Sequence, residues 1–252
     1  FPPRREGYGR PTRRVSILLC RTAISYSNIY SDIILGLMKG HVLLLATIAV
    51  SMFLDGLDGT IVNVALPDIA VSFGIGTGGT SWVITVYYLM MAGLILIFGR
   101  LCDMGALKKI LIAGMAVFTL GSLLCGLSLN FTILLASRAF QGIGAAMLAA
   151  SAVMVGVKHL PKDKIGLSMS LVVLGTSLGV AVGPSLGAVL TQLISWHWIF
   201  FINVPAGIAA VVLAHKSVPA DTGLEKGDID ITGSVILFVA IVSGLFAIER
   251  IP

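Results

Sequence analysis

Seven apolar runs, each about as long as a bilayer is thick and parted by short polar breaks, constrain this chain more than any other feature. They fall at about residues 42–66, 81–101, 110–129, 132–157, 165–193, 198–214 and 231–248. A spanning helix takes about 20 predominantly apolar residues. Within hydrocarbon the backbone must satisfy its own hydrogen bonds, which helices do inside a single segment. The chain is 57% hydrophobic and only 12% charged, where a soluble domain carries about 25% charge. The expected fold class is therefore all-α, a polytopic membrane protein with a six-helix transmembrane bundle over 38–215. A cytoplasmic linker at 216–230 and a seventh helix within 231–252 complete it. Pro67 is expected to stop the first helix. An odd helix count that ends abruptly at Pro252 predicts a truncated chain.

Residues 1–37 read differently from the rest. Six arginines (Arg4, Arg5, Arg10, Arg13, Arg14 and Arg21) face only Glu6 and Asp32 there. This basic N-terminal extension accounts for most of the net charge of +5, so the charge gives no argument for a nucleic-acid partner. We read it as disordered or not native, with Met38 as the natural start. The breaks set the orientation. Arg100, Lys108 and Lys109 stand in the second break, Lys158, Lys162 and Lys164 in the fourth, and Lys216 and Lys226 in the sixth. The alternate breaks at 68–80, 130–131 and 194–197 hold no Lys or Arg. The positive-inside rule then places the N-terminus and the basic breaks in the cytoplasm. Cys20, Cys102 and Cys125 are far apart, and His41, His159, His197 and His215 form no ligand pair, so neither a disulfide framework nor a metal site is expected.

Three charged groups stand inside the apolar runs away from their ends. Asp55 and Asp58 lie three apart in the second half of the first run, on neighbouring positions of one helix face. A charge at the centre of a spanning helix costs about 2.5–3.5 kcal/mol on insertion scales, and such residues mark pathways and relays. The alternative is that either acid sits in the headgroup layer at the helix end. Asn63 follows two turns after Asp55. In the fourth run Arg138 lies several residues deep, with Gln141 one turn on. Arginine stays charged, so Arg138 needs an acid, carbonyls or water, unless it snorkels to the interface.

Two further motifs concern moving parts. Gly99, Arg100, Asp103, Lys108 and Lys109 crowd an acid and three bases into the turn between the second and third runs. Such a turn makes a charge latch, or plain positive-inside anchoring. In the fifth run Gly175, Gly179, Gly183 and Gly187 recur at every fourth position beside Pro184. That spacing keeps a small-residue groove on one face, along which another helix backbone lies close.

Taken together, these motifs resemble the major facilitator superfamily, specifically the N-terminal half of its drug:proton antiporter branch with fourteen helices. Residues 58–67 (DGTIVNVALP) are similar to that branch's first-helix signature, and 81–88 (SWVITVYY) to its second-helix opening. Residues 99–109 resemble the loop motif after the second helix, 138–144 the fourth-helix motif and 179–187 (GVAVGPSLG) the fifth-helix motif of antiporters. Residues 196–205 (WHWIFFINVP) and 230–233 (DITG) match the entrances to the sixth and seventh helices. Met104 and Leu107 stand where the loop motif usually has bases, and Ala188 where the antiporter motif has glycine.

The resemblance implies a six-helix major-facilitator bundle and a secondary active transporter in the cell membrane, multi-pass with its N-terminus cytoplasmic. It implies proton-coupled efflux of small amphipathic compounds. Asp58 and Arg138 would couple protons, while Asp55, Asn63 and Gln141 would belong to the cavity or the first-helix signature. Asp103 would be the acid of a cytoplasmic gate, and the fifth-helix glycines the seam that rocks. The expected energy source is the proton gradient, with no cofactor. The expected partners are the lipid bilayer, a small-molecule substrate and the missing C-terminal half, with no nucleic acid. Uptake or exchange of a specific metabolite by the same fold is the alternative, and a non-transporting membrane sensor or assembly partner is a third reading. An enzyme is not expected, because no His or Cys cluster and no nucleophile with a base is present.

Overall fold

The computed structural model describes residues 13–221 and 231–249, and every regular element in it is a helix. Residues 1–42 form one compact unit and residues 43–252 another. The second carries the fold and the site described below. Arg4, Arg5, Glu6 and Arg10 of the extension, and Lys226 of the linker, lie outside the described residues.

The first helix, α1, runs Arg13–Phe73. Both its ends differ from expectation. It starts inside the basic extension rather than near residue 42, since no proline interrupts the chain between 12 and 66. It also continues through Pro67, which was expected to stop it. Proline removes one ladder hydrogen bond and crowds the preceding turn, but tertiary contacts hold the turns beyond it. Ile69 is fully buried, Phe73 packs edge-on against Trp196 at 5.6 Å, and Ser72 Oγ accepts from Trp196 Nε1 at 2.9 Å.

A short turn of helix, α2 (Thr77–Thr80), leads into α3 (Trp82–Leu101). A π-helical turn, Cys102–Ala106, then joins α3 to α4 (Leu107–Gly126). Gly105 stands in it at φ 100°, ψ 10°, a left-handed conformation that glycine adopts without Cβ strain. The chain reverses there. Neighbouring glycines of α5 (Phe131–His159) show this, since Gly142 abuts Tyr87 of α3 while Gly144 abuts Phe118 of α4.

The Asn130 side chain caps α5, accepting from the Ile133 amide at 2.9 Å. After it come α6 (Ile165–Leu193), the short α7 (Trp198–Phe201) and α8 (Asn203–Ser217), and then α9 (Ile231–Glu249). Among the described residues, five stretches are long and apolar enough to cross a membrane: Gly40–Phe73, Gly78–Gly126, Phe131–His159, Lys162–Leu193 and Trp198–Ser217. The second of them makes two passes, so six passes result. The 19 residues of α9 rise about 28 Å at 1.5 Å each, close to the hydrocarbon thickness of about 30 Å. Its Phe238 fills the space a side chain at Gly93 of α3 would need. The chain is thus an all-α polytopic membrane protein.

α1 and α6 meet along the glycine stripe. A Cβ at Gly175 would stand 2.6 Å from the Ala49 carbonyl oxygen, and one at Gly187 2.8 Å from that of Ile61. At Gly179 it would collide with backbone atoms of Phe53 and Leu57, and at Gly183 with Thr60. α6 continues through Pro184. The helix backbones therefore touch over four successive turns, and only residues without side chains allow that.

The two ends of the bundle differ in chemistry. At one, Lys158 Nζ donates to the Cys102 and Asp103 carbonyls at 2.7 and 2.9 Å. Lys108 Nζ donates to carbonyls at the end of α8, that of His215 and that of Val218 just past the helix, at 2.9 and 2.6 Å. The Asp221 carboxylate accepts from the Lys108 and Lys109 backbone amides at 2.8 and 3.2 Å. The other end is aromatic. Phe73, Phe131, Trp196 and His197 cluster there, and the Trp196 and His197 rings stack at 3.7 Å. Partial burial holds the His197 imidazole below its usual pKa.

Candidate functional site

Asp58 and Arg138 meet at the centre of the bundle. Both side chains are fully buried, and Arg138 Nη1 lies 2.6 Å from Asp58 Oδ2. Taking two charges out of water costs more than their attraction returns unless further hydrogen bonds satisfy them. Here they do. Asp58 Oδ1 accepts from Gln141 Nε2 and from Asn203 Nδ2, each at 2.8 Å. Arg138 Nε donates to the Val83 carbonyl at 3.0 Å, and its Nη1 also reaches Gln141 Oε1 at 2.7 Å. Gln141 Nε2 is held in turn by Ser122 Oγ at 2.7 Å. The guanidinium carbon lies 4.2 Å from the centre of the Tyr87 ring, a stacking arrangement that favours a cation over the π face.

Five helices therefore contribute to one network. α1 brings Asp58, α3 brings Tyr87 and the Val83 carbonyl, α4 brings Ser122, α5 brings Arg138 and Gln141, and α8 brings Asn203. Asn203 opens α8 where the short α7 ends, so the break in the sixth pass aims its amide inward. Of the four buried side-chain atoms without a partner among the described residues, two are Arg138 Nη2 and Asn203 Oδ1. Both belong to this network.

The other sequence-derived residues take separate places. Asp55 is half-buried, and its Oδ1 accepts from the Tyr87 hydroxyl at 2.8 Å. Tyr87 thus touches Asp55 with its hydroxyl and Arg138 with its ring. Asn63 is exposed and stays outside the network, donating weakly to its own helix at Gly59 and Thr60, both at 3.4 Å. Asp103 is exposed, and its carboxylate forms no ion pair among the described residues. The turn around it is fastened through backbone carbonyls and by Asp221, rather than by an acid–base pair within the motif. Asp221, Asn203, Tyr87 and Ser122 were not singled out from sequence. For Asn203 a signal exists, an amide within the apolar sixth run. For Ser122 and Tyr87 none does, because short hydroxyl and aromatic residues are common in spanning helices.

Comparison with known proteins gives the family. The model of the Major Facilitator Superfamily matches residues 48–248, and the chain belongs to that superfamily of membrane transporters. It is 36% identical over 202 residues to a protein named putative multidrug resistance protein MdtD from Serratia proteamaculans, covering 80% of this chain and 42% of that one. It is 34% identical over 204 residues to riboflavin transporter RibZ of Clostridioides difficile, covering 81% and 44%. An MdtD protein of Escherichia fergusonii is 36% identical over 192 residues, covering 76% and 41%. The chain therefore spans less than half the length of these curated relatives.

Proposed function

We propose that this chain is the N-terminal half of a proton-coupled exporter of small amphipathic compounds. The observation that carries the reading is the fully buried Asp58–Arg138 pair with its amide collar. While the pair is closed, the guanidinium occupies the carboxylate oxygen that a proton would take. When the helices shift and Arg138 withdraws, a lone carboxylate in an apolar core neutralises by taking up a proton, because an unpaired buried charge costs far more. Return of the guanidinium expels that proton. Asp58 lies on α1 and Arg138 on α5, so relative movement of the two helices opens and closes the pair. The α1–α6 seam, where the glycines of α6 present no side chains, supplies a close contact on which α1 slides. Rocking of two repeats about a central site then couples the proton to substrate. The multidrug names of two relatives support export of several compounds rather than one.

The test uses the whole transporter that contains this chain, reconstituted in proteoliposomes under a pH gradient. Asp58→Asn, of the same shape but unable to carry a proton, is expected to reduce gradient-driven flux at least tenfold. Substrate exchange without a gradient is expected to persist. Unchanged gradient-driven flux removes Asp58 from coupling.

A second reading, movement of one defined metabolite, is favoured by the similarity to a riboflavin transporter. A substrate panel decides between them. Saturable flux of a single compound, with no competition from structurally unrelated ones, supports the second.

A further inference from the structure

A groove runs lengthwise between α4 and α8. Lys109, Ala113 and Ala116 line it from α4, and Ile208, Val212 and His215 from α8. Spacings of three and four keep each set on one face of its helix. The opposite side of α4 is committed to the bundle, where Gly114 abuts Met147 of α5 and Gly121 abuts Gln141. The groove therefore opens on the side of α4 turned away from the charge network. The small side chains of Ala113 and Ala116 leave room in it. Its basic end holds a cavity of about 640 Å³, and the stretch beyond holds another of about 300 Å³. Ala116 lines both, so the two adjoin.

The chemistry changes along its length. The farther stretch is apolar, and the Thr119 hydroxyl in its wall is already bonded to the Met115 carbonyl at 2.6 Å. The nearer end carries Lys108, Lys109, His215 and Asp221. Two of these are committed. Each Asp221 oxygen accepts from a backbone amide, that of Lys108 or of Lys109. Lys108 Nζ donates to the carbonyls of His215 and Val218, which offsets the negative helix end that would repel an anion. Lys109 and His215 are exposed, and neither side chain has an ion pair or hydrogen bond with the described residues. Lys216, also exposed, follows in the last turn of α8. Cations at a membrane surface above an apolar groove match a phospholipid end to end. Its phosphate suits the cations through charge-assisted hydrogen bonds, and its acyl chain suits the groove. The excess of positive charge favours a headgroup of net negative charge over a zwitterionic one.

We propose that the α4–α8 groove binds one anionic phospholipid, its phosphate between Lys109 and His215 and an acyl chain along Ala113, Ala116 and Ile208. The site is separate from the Asp58–Arg138 pair and does not depend on the transport reading. A lipid seated there braces α4 against α8, beside the contacts of Lys108 and Asp221 that fasten the basic end.

The experiment is native mass spectrometry of the delipidated whole transporter in detergent, titrated with dioleoylphosphatidylglycerol or dioleoylphosphatidylcholine. The wild-type protein is expected to bind the first phosphatidylglycerol saturably, with a Kd about fivefold or more below that for phosphatidylcholine. Lys109→Gln combined with His215→Gln is expected to raise the phosphatidylglycerol Kd about tenfold and to leave phosphatidylcholine unchanged. Ala116→Phe, which fills the groove and keeps the cations, is expected to weaken both lipids. Lys162→Gln, an exposed lysine at the same end but outside the groove, is expected to change neither. Equal wild-type affinity for the two lipids overturns the proposal, and so does wild-type phosphatidylglycerol affinity in the double variant. An equal loss in Lys162→Gln overturns it too, since that marks diffuse attraction to the whole basic end. A dimer that Ala116→Phe dissolves would assign the groove to a second copy of the chain and overturn it likewise.

Discussion

Asp58 and Arg138 stand 80 residues apart in sequence and were nonetheless legible before any coordinates. An ionised group deep in an apolar run has few options, and pairing with the opposite charge is the main one. Gln141 was legible for its position one turn from Arg138. Asn203 was not, because an amide near the mouth of a run has many uses and only the α7–α8 break shows which way it points. The network makes a sharp energetic prediction. Removing one member of a buried pair strands the other and costs about 3–5 kcal/mol, whereas replacing both with neutral groups of similar size costs much less. Arg138→Gln alone is therefore expected to destabilise the protein strongly. Asp58→Asn combined with Arg138→Gln should recover at least half of that loss. Thermal unfolding of the purified single and double variants measures it, and additive losses would mean that the pair contributes no coupling. Asn203→Ala leaves Asp58 with two donors instead of three and should cost about 1–3 kcal/mol, the usual penalty when a buried group loses its partner.

At the scale of elements, the fifth-run glycines announced a close helix contact, but their period could not say with which helix. The partner is α1, the helix that carries Asp55 and Asp58, so the seam and the charge network share one element. Proline misled in the first helix and not in the sixth pass or α6. Its local penalty is real, but Ile69, Ser72 and Phe73 have tertiary partners that outweigh it. Sequence shows the breaker and not the contacts that override it. The seam is testable residue by residue. A methyl at Gly179 would meet the Phe53 and Leu57 backbone, which cannot swing aside. Gly179→Ala is thus expected to force the helices apart and cost about 1–3 kcal/mol, the range of overpacked cores. Gly166→Ala, near the start of the same helix, meets nothing within 4 Å and should be neutral or gain up to about 1 kcal/mol from helix propensity. Melting temperatures of the two variants, measured side by side, separate seam from propensity. Equal shifts would show that the stripe is not a tight contact in the working protein.

For the whole molecule, the run pattern alone disclosed an all-α membrane bundle, because hydrocarbon admits so few backbone solutions. The turn between the second and third runs was legible, but Gly105 as its pivot and the splitting of the sixth pass at Ile202 were not, since both depend on single backbone positions. The structure adds sidedness to the count. Contacts of Lys158 with the Cys102–Ala106 turn, and of Lys108 with the end of α8, gather three basic segments at one end. Contacts among Phe73, Phe131 and Trp196 gather the segments without Lys or Arg at the other. By the positive-inside rule, we propose that the basic end faces the cytoplasm. Two reporter positions probe this directly. Lys162 is exposed at the basic end, and Leu129 is 87% exposed at the aromatic end. In a whole transporter whose Cys20, Cys102 and Cys125 are replaced by serine, Lys162→Cys should resist a membrane-impermeant maleimide in intact cells and react in inside-out vesicles. Leu129→Cys should do the reverse. If both reporters swap behaviour, the N-terminus faces outward. The proton and substrate movements proposed above would then run in the opposite direction, since the end of the bundle fastened by Lys108, Lys158 and Asp221 would open to the outside.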